Sequence, residues 1–239
     1  MLKGINLGSG NWKYKNWIGY DKLNNDYLNE NTILPHKNNS LNYVYSCHFF
    51  EHIHDNTINN LLKESYRILK NGGIIRIVVP DFQLMHNKYV NNDYNFFYKT
   101  TRFKGRPEWK KYNVEYSIET ILAHWFSNYD EGYPDNGNGY RGPPRNLKSS
   151  EIREKCLQLE TEKFSEWLVS NIPNGNNITT QHINCPTMKK LKPILKNIGF
   201  KEIKKVSAQE SNIDDVLKSS AFNSEKRRKH YSLFIEAKK

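Results

Sequence analysis

The sequence predicts an α/β protein built on a mostly parallel β-sheet, with a largely helical insertion in the middle of the chain. Strand and helix signals alternate over residues 1–81 and return in the C-terminal third. Residues 82–181 differ, because they are rich in aromatic side chains and helical patterns and are too long for a loop. We therefore expect a single domain over 1–239, with a core of 1–81 and 182–239 and a helical insertion over 82–181.

Short apolar runs predict the strands of the core. The last run of the first half, Ile-Ile-Arg-Ile-Val-Val, is β-branched and nearly continuous, as in a strand buried on both faces of a parallel sheet. The predicted strands are Gly4–Leu7, Trp17–Tyr20, Tyr43–Ser46, Ile74–Val79, Lys201–Val206 and Ser232–Ala237.

A helix with one apolar stripe precedes the fourth strand. We expect Asp55 to cap it and Gly72 and Gly73 to end it. The stripe has helical spacing and consists of Ile58, Leu61, Leu62, Ser65, Ile68 and Leu69. A strand, a helix and a second strand in this order predict a right-handed βαβ unit.

Helical patterns are also found later in the chain. Thr187–Ile198 is predicted as a helix that ends at Gly199 and is kinked or delayed by Pro193. In the insertion, helices are predicted at Ile118–Phe126 and Glu151–Asn171.

The charge balance is strongly basic, with a formal net charge of +11. One interpretation is an anionic partner such as a phosphorylated substrate or nucleic acid. The other is a compositional bias, because the lysines are scattered along the whole chain. The compact run Lys226-Arg227-Arg228-Lys229 is interpreted as a solvated loop before the last strand.

Cysteine usage and hydropathy favour a cytoplasmic setting. Cys47, Cys156 and Cys185 are widely spaced and form no Cys-x-x-Cys pair, so the sequence predicts neither a disulfide framework nor a cysteine zinc site. No apolar run reaches the roughly 18 residues of a membrane helix. The N-terminal run Gly4–Leu7 is too short for a signal peptide.

A glycine loop follows the first strand, in the order Leu7-Gly8-Ser9-Gly10. Glycine lets the backbone pass close to a ligand and aim its N–H groups at it. A dinucleotide site would need a third glycine where Lys13 stands and a more distant acid, so a pyrophosphate site is not expected. Asp21 ends the second strand and either accepts both hydroxyls of a ribose or only turns the chain.

Several motifs, taken together, resemble a known family. They are Ile5–Gly10, Leu34–Ile53, Leu69–Asp81 and Gln181–Asn184. In this order they resemble class I S-adenosylmethionine-dependent methyltransferases, and most closely the predicted methyltransferases of the methyltransferase-11 type, some of which are encoded beside surface-glycan genes. The resemblance implies a Rossmann-like sheet with its last strand antiparallel, a first helix shortened to a turn, S-adenosylmethionine as cofactor, and a substrate cap over 82–181.

The resemblance also implies the site residues. The cofactor-binding set is Leu7, Gly8, Ser9, Gly10, Asp21, Glu30, Asn31, Ser46, Cys47 and His48. Ser9 replaces the more usual cysteine. Asn42 replaces the usual acid before the fourth strand of the family, which puts the role of that carboxylate in doubt.

Histidines are the candidates for catalysis. If the methyl acceptor is a hydroxyl, His48 or His182 is the general base, and the alternative for each is a structural histidine. The cluster of His48, Glu51, His52 and His54 could bind zinc, but we predict no metal, because Glu51 and His52 are expected to hold the start of the helix. His124 is expected to pack in its helix. Trp109, Tyr112 and Tyr133 form either a stacking surface or ordinary core.

The predicted function is a cytoplasmic methyltransferase that acts on a small molecule or glycan precursor, such as a nucleotide sugar. The alternatives are a methyltransferase acting on RNA or another nucleic acid and a catalytically inactive partner subunit. Val79-Pro80-Asp81-Phe82 is not the motif that amino-group DNA methylation uses. A homodimer is an open alternative to a monomer.

Overall fold

The computed structural model describes residues 2–24, 28–100, 117–127, 147–172 and 181–239. They fall into two compact units. The first comprises Met1–Pro80 and Pro186–Lys239, and the second comprises Asp81–Cys185.

The first unit is organised around a six-stranded sheet, in the order β2-β1-β3-β4-β6-β5. Its strands are β1 Gly4–Leu7, β2 Trp17–Tyr20, β3 Leu41–Cys47, β4 Leu69–Pro80, β5 Lys201–Val206 and β6 Ser232–Lys238. Strands β1 to β4 are parallel, and β6 is antiparallel to both β4 and β5. The predicted Rossmann-like fold class is therefore confirmed.

The described part of the chain contains helices in both units. They are α1 Asp55–Ile68, α2 Phe82–Val90, α3 Tyr94–Thr100, α4 Ile118–Ser127, α5 Ser149–Gln158, α6 Thr161–Ser170, α7 Met188–Ile198, α8 Asp214–Lys218 and α9 Asn223–Arg227. Short 3₁₀ turns occur at Lys22–Asn24, Phe50–His52 and Ser220–Phe222. In the parts of the chain that the structure describes, no helix is long and apolar enough to cross a membrane.

Helix α1 has the predicted apolar stripe, but its ends differ from the prediction. Asp55 is its first residue, and the N-cap is His54, whose side chain makes no capping hydrogen bond. The helix ends at Ile68, and the two glycines expected to end it lie inside β4. Strand pairing extends this far because Leu69 pairs with Leu41 at the start of β3.

Helix α7 begins and ends as its sequence indicates. The Thr187 hydroxyl accepts a hydrogen bond from the backbone N–H of Lys190 at 3.2 Å, and Gly199 ends the helix with a φ of 118°. Pro193 lies inside the helix and does not delay its start at Met188.

The sheet buries side chains on both faces, as its continuous apolar runs predict. On one face, Ile5, Leu7 and Ile77 pack with Leu61 of α1 and Leu195 of α7. The aromatic members of the other face include Trp17, Tyr45, Phe222 and Phe234.

A buried ion network fixes α9 to the sheet. The Arg76 guanidinium of β4 donates to both carboxylate oxygens of Glu225, at 3.0 and 2.9 Å, and to Glu236 of β6 at 2.8 Å. All three side chains are inaccessible or nearly so to solvent. Because removing one partner would leave buried charge unbalanced, this network holds α9 against the sheet.

Strand β5 is an edge of the sheet, and its side chains are mostly exposed. The exposed positions include Lys201, Lys204 and Lys205. Charged lysines are typical of edge strands that do not pair further.

The second unit is helical in its described parts. The predicted helix Ile118–Phe126 is confirmed as α4. The single helix predicted for Glu151–Asn171 is wrong, because Leu159 and Glu160 are extended and separate α5 from α6. His86 bridges this break through the Cys156 carbonyl at 2.8 Å and the Thr161 hydroxyl at 2.9 Å.

Candidate functional site

The glycine loop is tied to the end of β2. The backbone N–H groups of Gly8 and Ser9 donate to the Tyr20 carbonyl at 2.8 and 3.1 Å, and that of Gly10 donates to Asp21 Oδ2 at 2.9 Å. The expectation that this loop aims its N–H groups at a ligand is therefore wrong for these three residues. The two glycines instead supply positive φ angles, of 71° at Gly8 and 55° at Gly10.

The two glycines differ in what lies above them. A Cβ at Gly8 would overlap the ring of Phe49, whereas a Cβ at Gly10 would meet nothing within 4 Å. The space beside Gly10 is thus where a ligand can come close to the backbone.

Asp21 turns the chain and is hydrogen-bonded to the backbone of Gly10. Its Oδ1 accepts from the N–H of Leu23 at 3.0 Å, and its Oδ2 accepts from Gly10. The residue is half-buried. Because each carboxylate oxygen has a second lone pair, both oxygens can still accept a ribose hydroxyl.

Three predicted cofactor residues form the support of the loop. Leu7 and Ser46 are buried, and the Ser46 hydroxyl donates to the Leu7 carbonyl at 3.1 Å. The Ser9 side chain lies against Gly19, where a Cβ would clash with it. These side chains position the loop and do not face its open side.

The remaining cofactor residues are dispersed. Glu30 and Asn31 are exposed, and neither is hydrogen-bonded to the glycine loop or to Asp21 in the described chain. Cys47 ends β3, and burial raises the pKa of its thiol to about 11, so it is protonated at neutral pH. Asn42 lies at the opposite end of the same strand, where its N–H donates to Lys3 at 2.9 Å.

His48 has a constrained backbone. Its φ is 54°, a left-handed value that is uncommon for a residue with a side chain, and its N–H donates to the Val78 carbonyl at 2.7 Å. Such strain is held by the surrounding structure and often marks a functional position.

The His48 ring lies between an acid and a hydroxyl. Its Nδ1 is 3.1 Å from Oε1 of the fully buried Glu51, and its Nε2 is 2.9 Å from the Ser232 hydroxyl. A carboxylate beside Nδ1 favours the tautomer with the proton there, so the lone pair is on Nε2 and accepts from Ser232. Burial lowers the pKa of His48, and the Glu51 charge opposes that shift only in part. The imidazole is therefore neutral at neutral pH and can act as a base.

Of the other two histidines of the cluster, His52 lies near Glu51 and His54 is exposed to solvent. His52 Nε2 is 3.8 Å from Glu51 Oε1, and His54 is exposed at the start of α1. Glu51 is expected to hold the start of the helix and the loop, and it lies beside both His48 and His52.

His182 belongs to the second unit. Its Nδ1 is 3.0 Å from the Trp125 carbonyl, and its ring meets that of Phe82 edge-on. Because a carbonyl can only accept, Nδ1 carries the proton and Nε2 is the basic nitrogen. His124 is half-buried in α4, and Trp109, Tyr112 and Tyr133 lie outside the described residues.

Sequence reasoning missed Ser232 and Phe49. Ser232 is 184 positions from His48 and begins a strand, and no local pattern indicates that the two meet. Phe49 was part of a recognised motif, but its contact with Gly8 depends on how β3 and the loop come together.

Comparison with known proteins decides the class. Residues 17–77 match a family model described as a methyltransferase domain, over β2, β3, α1 and most of β4. This match covers 61 of the 239 residues of the chain. The predictions of a class I S-adenosylmethionine-dependent methyltransferase, with S-adenosylmethionine as its cofactor, are confirmed. The matched range of this methyltransferase includes Asp21, His48 and Glu51.

Solved structures similar to this methyltransferase have low sequence identity to it. An S-adenosylmethionine-dependent methyltransferase from Archaeoglobus fulgidus is 15% identical, with 100% of this chain and 86% of the other covered and a TM-score of 0.40. One from Mesorhizobium loti is 12% identical, with 100% and 91% covered and a TM-score of 0.42. A phosphoethanolamine N-methyltransferase from Haemonchus contortus is 13% identical, with 100% and 48% covered and a TM-score of 0.39. A search of curated protein sequences found no match to this methyltransferase.

Proposed function

We propose that this methyltransferase transfers a methyl group from S-adenosylmethionine to a small-molecule or glycan-precursor acceptor that carries a phosphate group. The observation that carries the proposal is the open space beside Gly10, next to the Asp21 carboxylate. We further propose a cytoplasmic location and a role in glycan biosynthesis, and a homodimer stays an open alternative.

The residues beside this space fit the cofactor. Gly10 would allow close approach to the backbone, and Asp21 would accept hydroxyls of the ribose. When bound, S-adenosylmethionine supplies a methyl group that is already activated on a sulfonium. The protein then mainly has to hold the acceptor in line and exclude water.

His48 is the proposed general base for a hydroxyl acceptor. As the acceptor oxygen takes the methyl group, the bond between that group and the sulfonium sulfur breaks, a thioether leaves, and the hydroxyl proton has to be removed. The Ser232 hydroxyl, whose proton points to Nε2 of His48, accepts that proton as it donates its own to the imidazole. The buried Glu51 carboxylate beside Nδ1 then stabilises the imidazolium.

His182 stays the second candidate base, supported by the hydrogen bond to the Trp125 carbonyl that places its proton on Nδ1. We propose that the insertion over 82–181 serves as a substrate cap.

Cofactor binding is the test of this proposal, and the chain offers a matched control. Gly10→Ala and Gly72→Ala both place a Cβ at a positive φ, 55° and 79°, and both have open space around it. Gly72 lies in β4 near Lys238, far along the strand from its carboxyl end. We expect both variants to lose about 1 kcal/mol of stability, but only Gly10→Ala to weaken binding of S-adenosylhomocysteine, by roughly tenfold or more.

Isothermal titration calorimetry measures both variants. Equal binding by the two variants would show that the loop is not the cofactor site. If the wild-type protein bound neither S-adenosylmethionine nor S-adenosylhomocysteine, the inactive partner subunit would become the better interpretation.

A nucleic-acid methyltransferase is the second candidate, because the net charge is +11. Binding to RNA that falls steeply with rising salt would favour it. Affinity for a small phosphorylated acceptor that falls only weakly with rising salt would favour the first proposal.

A further inference from the structure

The basic segment 226–229 lies at the edge of the sheet where β3 and β4 end. It precedes β6, whose first residue, Ser232, pairs with Pro80, the last residue of β4. Ligands of open α/β sheets bind at the carboxyl ends of the parallel strands. The interpretation of this segment as a solvated loop therefore needs revision for the residues that face this edge.

The four basic side chains of the segment differ in their surroundings. Lys226 donates to the Leu217 carbonyl at 3.1 Å, and Arg227 and Lys229 are exposed. Arg228 is half-buried and donates from Nη1 to the Ser224 hydroxyl at 2.8 Å. No carboxylate of the described chain is in salt-bridge contact with Arg228.

The nearest acid in sequence to Arg228 is already paired with another arginine. Glu225, the nearest acid in sequence, is fully buried and committed to Arg76. A partly desolvated guanidinium without a counter-ion is unfavourable, and an anion bound there would offset that cost.

Arg228 lies close enough to the candidate catalytic residues for its charge to act on them. Burial is the main cause of the pKa shifts of both Cys47 and His48, and the Arg228 charge opposes the rise at Cys47 and adds to the fall at His48. The turn that follows Arg228 brings Tyr231 next to His48. Tyr231 donates its N–H to the Arg228 carbonyl at 3.1 Å, and its ring centre is 6.3 Å from that of His48.

We propose that Arg228 binds the phosphate or diphosphate group of the methyl acceptor beside His48. The planar guanidinium is suited to two parallel hydrogen bonds with phosphate oxygens. The Arg76–Glu225 pair holds the end of α9, and with it Arg228, in place. The inference rests on the proposed function, since it names the group by which that acceptor is recognised.

Arg228→Gln and Arg227→Gln are matched variants for testing it. They remove the same charge from neighbouring positions, one half-buried and one exposed. Pyrophosphate is the probe, titrated by calorimetry into each protein saturated with S-adenosylhomocysteine. We expect Arg228→Gln to weaken binding about tenfold or more and Arg227→Gln to change it less than about twofold. Arg228→Lys, which keeps the charge but loses the planar fork, should fall between them.

A local readout accompanies the affinity. An anion beside His48 favours its protonated form, so pyrophosphate should raise the pKa of His48 in an NMR titration of the wild-type protein but not of Arg228→Gln. An unchanged His48 pKa in the wild-type protein, or equal weakening by both glutamine variants, would overturn the proposal.

A single-stranded RNA oligonucleotide distinguishes the source of the phosphate. Tight, salt-sensitive RNA binding that both variants weaken equally would show a diffuse basic surface and would contradict the proposal. Failure of the two proposals can be told apart. If the protein bound pyrophosphate but not S-adenosylhomocysteine, only the proposed methyltransferase function would be contradicted. If it bound S-adenosylhomocysteine but not pyrophosphate, only the proposed Arg228 site would be contradicted.

Discussion

At the scale of single residues, the pair Glu51 and His48 determines what chemistry the candidate site can perform. Burial pushes the pKa of His48 down, and the Glu51 charge pushes it up. The His48 imidazole is thus kept neutral, and the Glu51 carboxylate supplies the counter-charge when the imidazole becomes protonated. The balance depends on a single carboxylate that is fully buried.

Replacing Glu51 with glutamine tests that balance. Because Glu51→Gln removes the charge that favours imidazolium, we expect the pKa of His48 to fall further below its ordinary value. NMR titration of the His48 ring protons measures it. Glu202→Gln, an exposed site with the same charge change, serves as the control. A His48 pKa that rose or stayed constant in Glu51→Gln would contradict the assignment.

At the scale of secondary-structure elements, the Arg76 network joins β4, β6 and α9. Arg76→Met would leave Glu225 and Glu236 buried without their cation. We expect a loss of about 3–5 kcal/mol in the free energy of unfolding, measured by urea denaturation. Replacing Arg76, Glu225 and Glu236 together by apolar residues of similar volume should recover much of it. A loss of less than about 1 kcal/mol in the single variant would mean that the network contributes little.

The sequence predicts these elements best where the signal is local. Strands β1, β2 and β5 have the predicted bounds, because each is a short run whose neighbours are turn residues or polar residues. The prediction fails where pairing with a distant segment decides the result. The region before Gly73 becomes strand because β3 lies beside it, and helix 151–171 breaks because His86 bonds to both sides of the break.

The same division holds for the candidate site. Gly10 and Asp21 are close in sequence, and their contact could be predicted from the loop that joins them. Ser232 reaches His48 only through the antiparallel return of β6, which no local spacing indicates.

At the scale of the whole molecule, half-buried histidines make stability depend on pH. Burial lowers the pKa of both His48 and His36 in the folded protein. As pH falls below the ordinary histidine value, the unfolded chain takes up these protons first, so the free energy of unfolding decreases until the folded-state pKa values are passed. At a pH above the ordinary histidine pKa, the contribution of the two neutral histidines to the free energy of unfolding is fully present.

Urea denaturation between about pH 7.5 and about pH 5 measures this dependence. We expect His48→Gln and His36→Gln to flatten it, and the double variant to flatten it most. Carboxylates with a lowered pKa, such as Glu64, lose their contribution only at lower pH. An unchanged slope in the double variant would show that other groups control the acid sensitivity.

The lysines of β5 affect how copies of the protein associate with one another. An edge strand offers unpaired backbone groups to any other strand it meets in a crowded cell. Here a second copy that paired with this edge would bring its own Lys201, Lys204 and Lys205 close to those of the first. Their mutual repulsion guards against fibrous self-assembly, and selection for colloidal solubility can preserve these side chains even though they do nothing for catalysis.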